Sequence, residues 1–285
     1  MAQQSEFNPL HDIRSLTWSP LPTLRYTKGH STVNESVSVF MMTADQLLGW
    51  RDFEASVRAT TNICLGLQTR FIPTQTEKEV VHIGNEQGLM GRFGQNVSHV
   101  MSEVYECCHL PIFFADCQAG KTHVDAQSYR KIPDLVLMDD QRLVRAVGEG
   151  KTFWTRDLTK KDPTIRATWF GQLARYMDDL KLRYGFYTTY NATIFLRRTS
   201  DTTFEESPPI LHCTPSTDCS GEGSVSVREC FLYLAKLVSS DLYEYPKTYG
   251  KDLTDGSLVQ RERSSQRLEE AMAKLKLPTS SRNED

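Results

Sequence analysis

KIPDLVLMDDQRLVRAVGEGKTFW, residues 131–154, decides how this chain is built. It holds two apolar runs rich in β-favouring residues, 131–140 and 143–154, and Asp139-Asp140-Gln141 between them has the composition of a tight turn. An antiparallel hairpin follows from that pattern. A hairpin returns the end of its second strand to the start of its first, so Glu149 and Lys151 come back beside Asp134. Glu149 and Lys151 are two residues apart and share one face of their strand. Two carboxylates and the carbonyl of Gly150 form a set of hard oxygen donors suited to Mg²⁺ or Mn²⁺. An ammonium group beside them can orient a water or offset charge on a five-coordinate phosphate.

Upstream, Leu89, Met90, Phe93, Val97, Val100, Met101, Val104 and Tyr105 recur at three and four residues, which predicts one helix from Asn85 to about Cys108. LPIFFAD (110–116) then reads as a strand. Downstream, Asp162-Pro163 opens a helix that the pattern carries to Gly185. FYTTY (186–190) and ATIFLRR (192–198) read as two strands about Asn191, and SVRECFLYLAKLVSS (226–240) as a helix. Thr43 caps an expected helix that runs to the Phe71-Ile72-Pro73 break. Residues 1–42 read as polar and irregular, residues 200–224 as a loop rich in Ser, Thr, Pro and Gly, and the tail after Pro246 as polar with an amphipathic helix near 257–276. Helix, three strands, helix, two strands, helix is the order of an α/β sandwich with a mixed central sheet. The expected organisation is an N-terminal segment (1–78), a core (79–200), and a loop with C-terminal helices and tail (201–285).

Pro133-Asp134, then fourteen residues, then Glu149-Gly150-Lys151, and Gln172 and Tyr176 one helical turn apart on the helix that follows, resemble the PD-(D/E)xK nuclease superfamily in its RecB-like branch with a Q-x-x-x-Y motif. The resemblance covers roughly residues 80–200. GEGKTFW and YGFYTTYNATIFLRR also resemble a group of fungal nuclease-like proteins. What the resemblance implies is a restriction-endonuclease-like core of four mixed strands flanked by two helices, and metal-dependent cleavage of phosphodiester bonds. It implies that Asp134 and Glu149 are metal ligands, that Lys151 is the catalytic lysine, and that Gln172 and Tyr176 brace the site or meet substrate phosphate. Active members often carry a further Glu on the leading helix, for which Glu86, Glu103 and Glu106 are candidates. A helix of some 23 residues spans about 34 Å at 1.5 Å per residue and feeds back into the first strand. Its start therefore lies at the catalytic edge, which selects Glu86 and leaves Glu103 and Glu106 on a solvated face.

The 285 residues carry a net charge of −3, which argues against a protein that coats nucleic acid. The distribution is uneven, because residues 130–198 hold fourteen Lys or Arg against eight Asp or Glu inside a remainder of −9. Arg156, Lys160, Lys161, Arg166 and Arg175 follow the Glu-Gly-Lys directly and are the candidate phosphate-backbone track. Trp154 and Trp169 read as core in preference to stacking surfaces. Gly120-Lys121-Thr122 and Gly150-Lys151-Thr152 are not P-loops, since the glycine required five residues earlier is Ala115 or Arg145. Cys107, Cys108, His109, Cys117 and His123 lack a C-x-x-C pair, and with His212, Cys213 and Cys219 they read as structural, not as a zinc site. Seven cysteines without framework spacing, no apolar run of membrane-spanning length and no basic segment leading an apolar one at the N-terminus predict an intracellular protein, cytoplasmic or nuclear, with no membrane partner. The expected function is hydrolysis of DNA, with RNA second, by a Mg²⁺- or Mn²⁺-dependent enzyme. The rival is a nuclease-fold protein that no longer cuts and acts as a nucleic-acid- or protein-binding module.

Overall fold

The computed structural model of the protein describes residues 10–26, 42–65, 71–73, 81–120, 132–217, 223–240 and 243–245, all within one compact unit, Met1–Pro246. The helix expected near 257–276, and His123 and Cys219, lie outside the described residues. In chain order the elements are β1 (Leu10–Asp12), α1 (Ile13–Trp18), β2 (Arg25–Tyr26), β3 (Leu47–Gly49), α2 (Phe53–Leu65), β4 (Phe71–Pro73), β5 (His82–Ile83), α3 (Glu86–Phe93), a π-helical turn (Gly94–His99) and α4 (Val100–Cys107). Then come β6 (Ile112–Ala115), β7 (Leu135–Asp139), β8 (Val144–Gly150), α5 (Pro163–Asp179), β9 (Tyr184–Thr188), β10 (Ala192–Arg198), β11 (Phe204–Glu206), β12 (Ile210–Leu211) and α6 (Val227–Val238).

An eight-stranded mixed sheet runs in the order β3-β11-β10-β9-β8-β7-β6, with β12 also on β10. The β8–β9 and β11–β3 pairs are parallel, and the others in this sheet are antiparallel. Side chains alternate across it as the pleat requires. Leu137, Ala146, Phe186 and Phe195 pack with the helices α1, α2, α3, α4 and α6. Val136, Val147, Tyr187 and Ile194 pack with α5. The α/β expectation of a mixed central sheet flanked by helices therefore holds.

The leading helix is continuous from Glu86 to Cys107 but not uniform. Its apolar stripe Leu89, Phe93, Val97, Met101 steps by four and is fully buried. A strict α-helix at 3.6 residues per turn would rotate that stripe away from the sheet, and a widened π turn keeps it facing inward. A carbonyl of the widened turn, that of Asn96, accepts from Arg228 Nε at 3.1 Å and Nη2 at 2.9 Å, and Nη1 reaches Leu16 O at 3.0 Å. This buried guanidinium ties α6 to α1 and to the leading helix.

Four sequence expectations are corrected. Residues 10–26 are not an irregular leader: they form β1, α1 and β2, and Ile13, Leu16, Leu21 and Leu24 are core. Thr43 caps only a short 3₁₀ turn, Ala44–Gln46, its N–H donating to Gln46 Oε1 at 2.8 Å; β3 follows, and the helix begins at Phe53. Residues 200–224 contain β11, which joins β10 to β3, and β12. Strand pairing between distant segments leaves little local pattern, which is why these three were hidden. Finally, α5 ends at Asp179, where Lys181 turns the chain at φ 54, and Gly185 lies inside β9. The glycine serves packing, since a Cβ there would stand 2.9 Å from Met177 Sδ and 3.2 Å from Leu173 Cδ1 of α5.

Candidate functional site

The hairpin works as its sequence requires. Asp139 Oδ1 accepts from the N–H groups of Gln141 and Leu143, both at 2.9 Å, and closes the turn. Leu135 then stands opposite Gly148, so Asp134 meets the end of β8. Asp134 Oδ2 accepts from the Gly150 N–H at 2.9 Å. On the other side β9 runs parallel to β8 with Glu149 opposite Tyr187, and the Lys151 N–H continues the pairing to Thr188 O at 2.9 Å. The start of α3 arrives at the same edge. Asn85 caps it by accepting from Gly88 N at 2.8 Å, and Glu86 opens its first turn. Gly150 is what lets α3 come so close, because a Cβ there would lie 2.0 Å from Met90 Sδ.

Lys151 is the centre of the cluster. Its Nζ lies 2.7 Å from Glu149 Oε1, 3.1 Å from Glu86 Oε1, 2.8 Å from the Gly150 carbonyl and 4.0 Å from Asp134 Oδ2. Glu149 is 1% exposed, and its Oε2 is buried without a hydrogen-bond partner. Burial, with Asp134 adding repulsion, pushes the Glu149 carboxyl from 4.5 up to about 7 against the pull of Lys151. Burial likewise raises Asp134. Burial opposes the charge on Lys151, but Glu149 and Asp134, helped by Glu86, outweigh it and hold the ammonium above its ordinary value. Of the leading-helix acids, Glu86 is the one at the site. Glu103 and Glu106 line a surface hollow of about 520 Å³ at the other end of the helix, with Ser102, His109 and Asp140.

Gln172 Nε2 donates to Tyr176 Oη at 2.7 Å on the face of α5 that meets the sheet. Tyr176 is buried, and burial together with Glu149 holds its phenol above the ordinary value. The pair therefore stands within electrostatic reach of the cluster. The basic track is only partly assembled. Arg166 is buried and pairs with Glu206 at 2.8 Å, a partner hidden in the unforeseen β11, so it is removed from the track. Arg175 pairs with Asp179 across one helical turn at 3.6 Å. Arg156 lies 5.5 Å from the Trp169 ring and faces the buried Tyr187 hydroxyl, which in turn feels Lys151 and Glu149. Lys160 and Lys161 are exposed.

Among the described residues, no group of three or more His, Cys, Asp or Glu has the arrangement of a metal cage, and Cys64, Cys107, Cys108, Cys117, Cys213 and Cys230 are free. The ammonium of Lys151 lies against the carboxylates of Glu149 and Glu86, at 2.7 Å and 3.1 Å. Sequence reading placed Met90 in the leading-helix stripe and Tyr187 and Thr188 in a strand but did not bring them to the cluster; Gly150 was a signal for Met90 alone, which a Cβ there would meet. The chain matches no model of a known protein family, no characterised protein and no solved structure.

Proposed function

We propose that the chain is a metal-dependent phosphodiesterase of the PD-(D/E)xK kind, with a restriction-endonuclease-like core, that hydrolyses DNA in preference to RNA. The observation that carries the reading is the meeting of Glu86, Asp134, Glu149 and Lys151, from three stretches of chain, around a buried carboxylate oxygen with no partner. These donors fit a hard cation. A divalent ion held by Asp134, Glu149 and the Gly150 carbonyl, with Glu86 beside it, would polarise a phosphate and lower the pKa of a bound water. The remaining work belongs to the chain. Lys151 stays charged, so it acts by donating hydrogen bonds to a water or a phosphate oxygen and not as a base. Glu149 gives up its proton near neutrality to become a ligand. Tyr176, held by Gln172, keeps its proton and serves as a donor.

A second reading has its own support. The ammonium of Lys151 already pairs with Glu149 and Glu86 and offsets part of the carboxylate charge, and no three-ligand cage is preformed among the described residues. A nuclease fold that binds without cutting would look the same. Addition of Mn²⁺ separates the two. An ion that binds only the folded state raises Tm, whereas a site satisfied by Lys151 alone gives no shift. Because the folded-state pKa of Glu149 is raised, its neutral form stabilises the apo protein below pH 4.5, and that contribution is lost as pH rises through about 7. Metal binding needs the ionised form, so the Mn²⁺-induced rise in Tm should grow by roughly 3–5 °C per pH unit up to pH 7 and level off above it. Glu86→Ala should reduce the rise and Glu103→Ala should leave it intact. The opposite order would remove Glu86 from the site.

Lys160 and Lys161 are the exposed cations that follow the site in sequence. Reversing both to Glu should reduce the slope of log K against log salt by roughly one for each lost phosphate contact. An unchanged slope in a fluorescence-anisotropy titration would place the phosphate track elsewhere.

A further inference from the structure

Two and three residues beyond Lys151 the chain presents Phe153 and Trp154, and Tyr26 of β2 lies against both. The Tyr26 ring is stacked with Trp154 at 5.8 Å and 18°, and edge-on to Phe153 at 4.7 Å and 87°. Phe153 meets Trp154 edge-on at 4.8 Å and 79°. Phe153 and Trp154 rest on the core below, but Tyr26 is 44% exposed. Among the described residues it is the one aromatic among the exposed large apolar side chains. The three rings therefore form one packed aromatic group whose outer member, Tyr26, is open to solvent.

Its position is tied to the candidate site twice. Phe153 is two residues from Lys151, which limits their Cα separation to about 7 Å. Tyr26 pairs with Ile83 of β5, three residues before Glu86. Val81 and Ile132, which flank β5 and Asp134 in the chain, are exposed apolar side chains as well. The exposed Arg25 adjoins Tyr26, and Lys160 and Lys161 lie a few residues beyond Trp154. Aromatic rings with a cation adjoining them, beside a cluster suited to phosphate chemistry, match one ligand chemistry: a base with its π-face free, carried on a phosphate backbone. In a duplex those faces are covered by neighbouring bases, so the surface suits a strand whose bases are unpaired.

We propose that Tyr26, Phe153 and Trp154 form a stacking platform that takes unpaired bases of single-stranded DNA beside the Glu86–Asp134–Glu149–Lys151 cluster. The proposal rests on the nuclease reading for its biological sense but can fail separately from it. The test is anisotropy binding in EDTA, with the full chain, to three probes of equal length: a single strand of mixed sequence, the same strand built of abasic sites, and a blunt duplex. The base-bearing strand should bind roughly tenfold or more tighter than the abasic one, which has the same charge. Tyr26→Ala should weaken binding of the base-bearing strand by about tenfold and leave the abasic strand unchanged, and Tyr26→Phe should restore the wild-type value. Equal binding of the two strands, equal loss on both in Tyr26→Ala, no binding of any probe, or preference for the duplex would each overturn the platform. Base-dependent binding in a protein that neither gains stability from Mn²⁺ nor cuts would uphold the platform and remove the catalytic reading.

Discussion

Glu149→Gln is expected to lower Mn²⁺-dependent DNA cleavage by at least about a thousandfold while the protein stays folded. The amide keeps the shape of a side chain that is 1% exposed and removes the charge that a cation needs. It also removes the repulsion against Asp134 and the cost of ionising a buried carboxyl, which is raised to about 7. At pH 5 the two proteins should therefore differ little in Tm. At pH 8 the variant should match or exceed the metal-free wild type, since wild-type Glu149 is by then ionised in a site that disfavours it. Partnership with Lys151 at 2.7 Å works in the other direction and limits the gain. Cleavage close to wild type, in protein freed of contaminating nuclease by a further column, would end the assignment of Glu149. Loss of cleavage accompanied by loss of the folded state would transfer the effect to stability, and circular dichroism with the melting curve separates the two.

Phe231→Ala should cost roughly 3–5 kcal/mol, or about 10 °C in Tm at the usual size scaling. Phe231 belongs to α6, outside the stretch that resembles a nuclease core. Yet its ring meets Phe93 at 5.7 Å, Phe114 at 5.3 Å, Phe186 at 4.9 Å and Phe195 at 5.0 Å. Its carbonyl accepts from the Tyr105 hydroxyl at 3.0 Å. Truncation would open a cavity at the point where the leading helix, the sheet and α6 converge, and a rigid aromatic cluster cannot collapse into it. Phe231→Leu keeps most of the volume and should lose much less. A chemical-denaturation loss below about 1 kcal/mol for the alanine variant would mean that α6 is an accessory and not part of the core.

The hairpin, the leading helix, α5 and the β9–β10 pair were legible because each is written locally. A turn composition, a 3.6-residue stripe or an Asp-Pro start needs no knowledge of the rest of the chain. The choice of Glu86 over Glu103 needed more, namely the nuclease resemblance and the direction in which the leading helix feeds the first strand. Sequence indicated by itself the α/β class, the order of the central elements and the meeting of Asp134, Glu149 and Lys151, while Glu86, Gln172 and Tyr176 were singled out through the resemblance to nucleases. Tertiary structure alone decided the rest. β3 and β11 exist because they pair with each other across more than 150 residues of chain, and that pairing supplies the Glu206 that takes Arg166 out of the basic track. Arg228 holds the widened turn of the leading helix through the Asn96 carbonyl, and Tyr26, paired with β5 through β2, meets Trp154 from far along the chain. A residue's propensity is a property of its near neighbours, but its partner, its burial and its charge state are set by groups the fold brings from far along the chain.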